Sequence, residues 1–209
     1  MEIIKYYFFV SLILFSNNIY AHQQAWDDDK SSWTDLQLAI YYGENNDIIT
    51  QLINDNLESL NECRNGTNTI EMAIRLNNEF AVYKLLNSGV IFDLDELLIW
   101  ACLVNSNIQI IEYLCNFGAN VNYIRENGYN CLMAATSFST IEIMQYLVVQ
   151  NINVNLGRRS GDGATALTLA IYNFDYEKIS LLLEAGANKN NINFNGETAY
   201  VFAERYTLI

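Results

Sequence analysis

Asp162-Gly163-Ala164-Thr165-Ala166-Leu167-Thr168-Leu169-Ala170, followed by Ile179, Leu182, Leu183, Glu184, Ala185, Gly186 and Ala187, is the stretch on which the reading of this chain turns. It combines a Gly-bearing turn, a Thr able to accept a backbone N–H at a helix start, an apolar stripe and a Gly-Ala ending. The pattern recurs around Ala39, Ala73, Ala101, Ala135, Ala170 and Ala203, at intervals of 34, 28, 34, 35 and 33 residues. The second copy runs Asn65-Gly66-Thr67-Asn68-Thr69-Ile70-Glu71-Met72-Ala73, then Val82, Leu85, Leu86 and Gly89. The fourth runs Asn127-Gly128-Tyr129-Asn130-Cys131-Leu132-Met133-Ala134-Ala135, then Met144, Leu147 and Val148. In the first copy stand Thr34, Leu36, Ala39, Ile48 and Leu52; in the third, Leu98, Ala101, Leu114, Gly118, Ala119 and Asn120. The sixth, Asn195-Gly196-Glu197-Thr198-Ala199-Tyr200-Val201-Phe202-Ala203, stops near Ile209 before a full second helix.

Two antiparallel helices of roughly 8 to 10 residues plus a turn fill about 33 residues, and each pair has an apolar face to offer its neighbours. The expected fold is therefore all-α: a solenoid of about five helix–turn–helix units plus a partial C-terminal capping unit. Its copies fall at 31–61, 62–92, 93–124, 125–157, 160–192 and 193–209. A generic helical bundle accounts for Leu pairs and Ala at helical spacing, but not for Asn-Gly or Asp-Gly turns ahead of the Ala. Gly89, Gly118 and Gly186 fit the left-handed residue that closes a second helix, and Asn151 stands there in the fourth copy. The interval of 28 implies a shortened or missing finger around Phe92 to Asp95. The interval of 35 comes with a projecting loop, Leu156-Gly157-Arg158-Arg159-Ser160-Gly161.

From about Trp33 to Tyr206 these copies resemble the ankyrin repeat, in which a hairpin turn leads into Thr-Pro-Leu-His-x-Ala and a second helix ends at Gly-Ala. The chain departs from that pattern by containing no Pro, and by carrying Gln37, Glu71, Ile99, Met133, Thr168 and Tyr200 where the His belongs. The turn hydrogen bonds associated with that His are therefore not expected in their usual form. The resemblance implies a non-enzymatic module that binds a protein on its concave face, built from hairpin tips and the solvent side of each first helix. Carried over copy by copy, the positions two and three residues after each Ala are Tyr41 and Tyr42, Arg75 and Leu76, Leu103 and Val104, Ser137 and Phe138, and Tyr172 and Asn173, with Tyr41, Tyr42, Arg75, Phe138 and Tyr172 the expected contacts. Six residues before it, at the expected hairpin tip, they are Trp33, Thr67, Tyr129 and Glu197. Aromatic residues and Arg anchor interfaces by burying large area at little rotamer cost.

Ahead of the repeats, Lys5 precedes the apolar run Tyr6 to Phe15, then a polar break at Ser16-Asn17-Asn18 and Ile19-Tyr20-Ala21. That is the layout of a secretory signal peptide at 1–21, cleaved between Ala21 and His22. The run is about ten residues, whereas a bilayer-crossing helix needs roughly 20, so no membrane span is expected after cleavage. An acidic lead, 22–32, contains Trp26 and Asp27 to Asp29; without the Gly and Glu of a calcium loop these carboxylates read as a solvated cap. The expected location is periplasmic or secreted.

With 24 acidic and 11 basic residues the net charge is −13, and it is the same once Glu2 and Lys5 are removed. Such a surface repels nucleic acid and anionic lipid and would steer a basic protein partner to a monomeric chain. No enzyme is expected: His22 is the single histidine and lies at the cleavage site, leaving none for a catalytic triad inside the fold. No P-loop and no zinc spacing occurs, so neither cofactor nor metal is expected. Cys63, Cys102, Cys115 and Cys131 could pair in an oxidising compartment, yet Cys102 and Cys131 fall on first helices where a small apolar residue is expected and Cys115 sits near the end of a second helix, which favours buried free thiols. Asn65-Gly66-Thr67 is a glycosylation sequon in a eukaryotic setting. The leading functional expectation is an exported protein-binding module. Its alternatives are a periplasmic inhibitor or immunity protein against a toxin or lytic enzyme, and a secreted effector directed at a host.

Overall fold

A computed structural model describes residues 30, 32–61, 63, 68–157, 164–190, 198 and 201. The export signal with Ala21 and His22, the sequon with Thr67, the tip of the projecting loop, and Glu197 with most of the sixth copy lie outside the described residues. Within them the chain forms five successive helix pairs. These are α1 (Asp35–Tyr42) with α2 (Asn46–Asp55), α3 (Thr69–Arg75) with α4 (Glu79–Leu86), α5 (Leu94–Leu103) with α6 (Ile108–Asn116), α7 (Cys131–Phe138) with α8 (Ile141–Val149), and α9 (Ala166–Tyr172) with α10 (Tyr176–Glu184). A 3-10 turn, Leu57–Ser59, follows α2. First helices pack on first helices along the series α1, α3, α5, α7, α9, and second helices on second helices along α2, α4, α6, α8, α10. The result is an all-α solenoid of two layers around one continuous core running from Leu36 to Ala187.

The recurring Ala earns its place twice. Ala39, Ala73, Ala101, Ala135 and Ala170 are all buried, where a small side chain lets neighbouring first helices approach. In four of the five pairs the Ala carbonyl also takes the bond that closes the helix. The N–H groups of Glu44, Asn78, Ser106 and Asp175 donate to the oxygens of Ala39, Ala73, Ala101 and Ala170 at 2.9–3.1 Å. The residue before each donor, Gly43, Asn77, Asn105 or Phe174, is left-handed, which is the geometry of a Schellman ending. At the ends of the second helices, Gly118 and Asn151 have φ of 107° and 59°, as their positions require.

The missing His is replaced by other chemistry. Gln37 and Glu71 occupy the third helical position and reach back to the N–H of Thr34 and Asn68 at 3.0 and 3.1 Å. The Thr34 and Asn68 side chains accept the N–H of Gln37 and Glu71 in return. Thr165 and Thr168 close the same reciprocal box in the fifth pair. Each box satisfies two N–H groups that a helix start leaves open.

In the third unit the shortened connection is real. Residues 87–93 join α4 to α5, whereas 117–130 join α6 to α7 and contain a turn in which Arg125 N–H donates to Tyr129 O at 2.9 Å and Gly128 N–H to Arg125 O at 2.8 Å. The α5 cap, Asp93, accepts from Glu96 N–H at 3.1 Å. It lies about one turn further ahead of its Ala than Thr34, Asn68, Asn130 or Thr165 do of theirs. Helix replaces finger here. Between α8 and α9, Gly157 bridges to Thr165 at the base of the loop.

Asparagines tie the units together. Asn122 Oδ1 accepts the N–H of Asn153, and Asn155 Oδ1 that of Asn188, both at 2.7 Å; Asn155 Nδ2 also donates to Gly186 O at 3.2 Å. Asp95 Oδ1 plays the same part for Asn120 N–H at 2.6 Å. Asn155→Ala, which removes two bonds between the fourth and fifth units, is expected to cost about 1 kcal/mol in urea denaturation. An unchanged midpoint would show that water replaces the ladder at no cost.

Candidate interaction surface

Of the described positions two and three residues after each Ala, all but Leu103, which is buried, keep some exposure. Tyr42 is 65% exposed and Leu76 is exposed, while Tyr41, Arg75, Phe138 and Tyr172 are half-buried. They sit at the C-terminal ends of α1, α3, α7 and α9 in the first layer, with α5 between α3 and α7. The positions six residues before each Ala do not behave so. Trp33 is 7% exposed and Tyr129 is 6% exposed, and neither is free to grip a partner with its full ring. Tyr129 is corrected from contact residue to core, and Trp33 from an open hairpin tip to a largely buried ring. The reason is local: each precedes a helix cap, Thr34 or Asn130, and this is where an apolar side chain turns in to staple the helix entry. Trp33 packs with Leu38, four positions into α1, and with Met72 of the next unit. Ala164 is buried at the same register position in the fifth unit. Thr67 and Glu197 share that register but fall among the residues not described.

Where the third unit lacks its finger a cleft of about 230 Å³ opens, lined by Asn61, Asn68, Glu71, Ile91, Phe92, Asp93, Glu96 and Leu97. Its wall is acidic. Glu96 pairs with Arg125 of the next finger, Nε–Oε2 2.7 Å. A hydrogen bond to the same Glu96 raises the Tyr123 phenol above its ordinary range, its charge and that of Asp93 add to the shift, and Arg125 opposes it. Asp93 and Asp95 are spoken for by the helix cap and by Asn120, which leaves them structural duties.

A second aromatic group escapes the sequence reading because it follows no register. Tyr83 of α4 meets Tyr113 of α6 at 5.3 Å between ring centroids and Phe117 at 6.4 Å, on the second-helix layer. Pairs of this kind join adjacent units and contribute about 0.5–1.5 kcal/mol beyond the area they bury.

All four cysteines are free thiols, Cys102 and Cys131 buried and Cys63 exposed. Burial pushes the Cys115 thiol from an ordinary 9.0 to about 11, against a hydrogen bond from Tyr146, and holds Cys102 and Cys131 higher still. A brief iodoacetamide pulse at pH 8 is expected to label Cys63 alone; equal labelling of Cys115 would contradict its burial. The folded chain keeps a proton that the unfolded chain releases from about pH 8.5. The stability this contributes is complete below that pH and is lost as pH rises through 11.

Among the described residues no helix is long and apolar enough to cross a membrane, and no three His, Cys, Asp or Glu side chains are grouped to hold a metal ion.

Residues 92–158 match the family model described as ankyrin repeats. An ankyrin repeat protein of Acanthamoeba polyphaga mimivirus is 30% identical over 108 residues, covering 49% of this chain and 65% of the relative. The SH3 and multiple ankyrin repeat domains protein 2 of Homo sapiens is 24% identical over 181 residues, covering 84% of this chain and 10% of the relative. The chain thus spans less than two thirds of the length of either relative. Among solved structures, the ankyrin repeat domain of Bcl-3, described as a unique member of the IkappaB protein family, superposes with a TM-score of 0.71 at 18% identity over 92% of both chains. At that identity the likeness concerns the fold.

Proposed function

Because the chain is an ankyrin-repeat protein, we propose that it binds another protein, without catalysis, through the first-helix layer and the finger at 125–130. Ankyrin repeats imply protein partners, and the observation that carries the choice of surface is the row Tyr42, Leu76, Phe138 and Tyr172. In four of the five units a large side chain stays partly open to solvent at the same end of the first helix, α1, α3, α7 or α9, spaced along the solenoid as an extended contact needs, whereas in the third unit Leu103 is buried. The net charge of −13 and the acidic cleft beside Glu71, Asp93 and Glu96 support a basic partner. The layout of Met1 to Ala21 supports export, with the mature chain acting as a monomer outside the cytoplasm.

Benzoylphenylalanine placed at Leu76 or Asn173 of the full chain in its own organism is expected to cross-link one basic protein outside the cytoplasm. The same probe at Gln145, exposed on α8 in the second layer, is expected to cross-link none. Products from Gln145 alone overturn the surface, and a partner recovered only from the cytoplasm overturns export. A toxin or lytic enzyme as the partner makes the chain an inhibitor; a host protein makes it an effector.

A further inference from the structure

At the N-terminal end of this surface three rings surround a cation. Lys30 Nζ lies 4.2 Å from the Tyr41 ring centroid, 5.6 Å from that of Tyr42 and 5.9 Å from that of Trp33, each within the range where a ring face attracts positive charge. The walls stand nearly at right angles: Trp33 meets Tyr41 at 5.2 Å and 74°, and Tyr41 meets Tyr42 at 5.2 Å and 85°. Trp33, held by Leu38 and Met72, makes a fixed floor, and Tyr42 an open rim. Among the described residues no carboxylate pairs with the Lys30 ammonium, so it is the rings that hold the charge there.

We propose that Trp33, Tyr41 and Tyr42 form a cation cage for the alkylammonium head of a lysine side chain, plain or N-methylated, on the bound partner, with Lys30 as a resident stand-in that yields to it. Three rings, with Tyr41 crossed against both Trp33 and Tyr42, border a rounded head on more than one side, whereas a flat guanidinium stacks on one face and leaves the others unused. The resident shows which size and charge the cage accepts. It is also easily displaced: its backbone carbonyl is fixed by Trp33 N–H at 3.1 Å, but the four-carbon stem is free to swing the ammonium into water. The chain's net charge raises the concentration of cations near it. This inference rests on the protein-binding reading above and supplies the anchor chemistry for one end of it.

The test needs no partner, so it stands or falls apart from the cross-linking result. Nα-acetyl-Nε-trimethyllysine amide is titrated into the full chain and the ring-current shift of its methyl proton signal is followed. The neutral carbon analogue, ending in a tert-butyl group, serves as the control. Wild type is expected to shift the cationic probe upfield and to prefer it about tenfold or more over the analogue. Lys30→Gln is expected to bind it several-fold tighter, because the competitor is gone. Tyr42→Ala, at an exposed site that leaves the melting temperature unchanged, is expected to abolish the shift. Equal binding of the neutral analogue overturns the cage in favour of an apolar patch. No gain in Lys30→Gln overturns the stand-in and makes Lys30 a permanent clamp on the first unit. A shift retained in Tyr42→Ala also overturns the proposal.

Discussion

Leu114→Ala is expected to cost about 3–4 kcal/mol and to break the cooperativity of unfolding. Leu114 is buried without remainder in the continuous core, on α6 in the middle of the second layer, where α4 and α8 pack against its helix from either side. Truncation there loses the transfer of the removed carbons from water and leaves a cavity that packed helices close only in part. In a solenoid each unit leans on its neighbours alone, so weakening the third unit uncouples the first two from the last two. Urea unfolding followed by circular dichroism should change from one transition to two. A single transition with a midpoint close to that of wild type would show that the units do not share one core.

Lys178→Met is expected to cost about 2–3 kcal/mol although it keeps the apolar stem of the side chain. The fourth unit lacks the left-handed turn found in the other four, since Ser139 is extended with φ of −100° and ψ of 172°. Its first helix therefore ends with carbonyls that no Schellman bond covers. Lys178, reaching over from α10 of the next unit, donates to Thr136 O at 2.9 Å and Ser139 O at 2.8 Å. Ser139 Oγ donates in turn to Cys102 O of the unit before at 2.7 Å, so three units meet at one polar joint. Methionine refills the space and leaves both carbonyls without their charged donor. Asp175, 3.5 Å from the ammonium, loses its partner too, though half exposed to solvent it matters less. The check is thermal unfolding of Lys178→Met beside Asp175→Asn. Equal small losses in the two would place the energy in the ion pair instead of the carbonyl bonds.

What the sequence makes legible follows from how local each requirement is. A small residue where helices meet, a turn needing positive φ, and a cap accepting an N–H each act within a few residues, so Ala101, Asn151 and Thr34 can be recognised one at a time. The shortened finger before Ala101 is legible as a missing length, but the way it is made good is not. That α5 starts a turn early under Asp93, and that Asp95 replaces an Asn in the ladder, depend on partners in the next unit. The Asn122, Asn153, Asn155 and Asn188 contacts are hidden for the same reason; an abundance of Asn reads as composition until the units are stacked. Trp33 and Tyr129 show the limit most plainly. Both stand in register and both turn inward, because a residue just before a cap points out at a hairpin tip or in as a staple according to packing that lies outside its own segment. The positions after the Ala are open at the far ends of α1, α3, α7 and α9 but not at the end of α5, where Leu103 is buried.

Amide hydrogen exchange on the full chain, alone and with the partner recovered by cross-linking, tests the central claim most directly. Slowed exchange at the C-terminal ends of α1, α3, α7 and α9 and in the finger at 125–130, with α4, α6 and α8 unchanged, is the predicted result. Slowing confined to α4 and α6, where Tyr83 and Tyr113 lie, would contradict it.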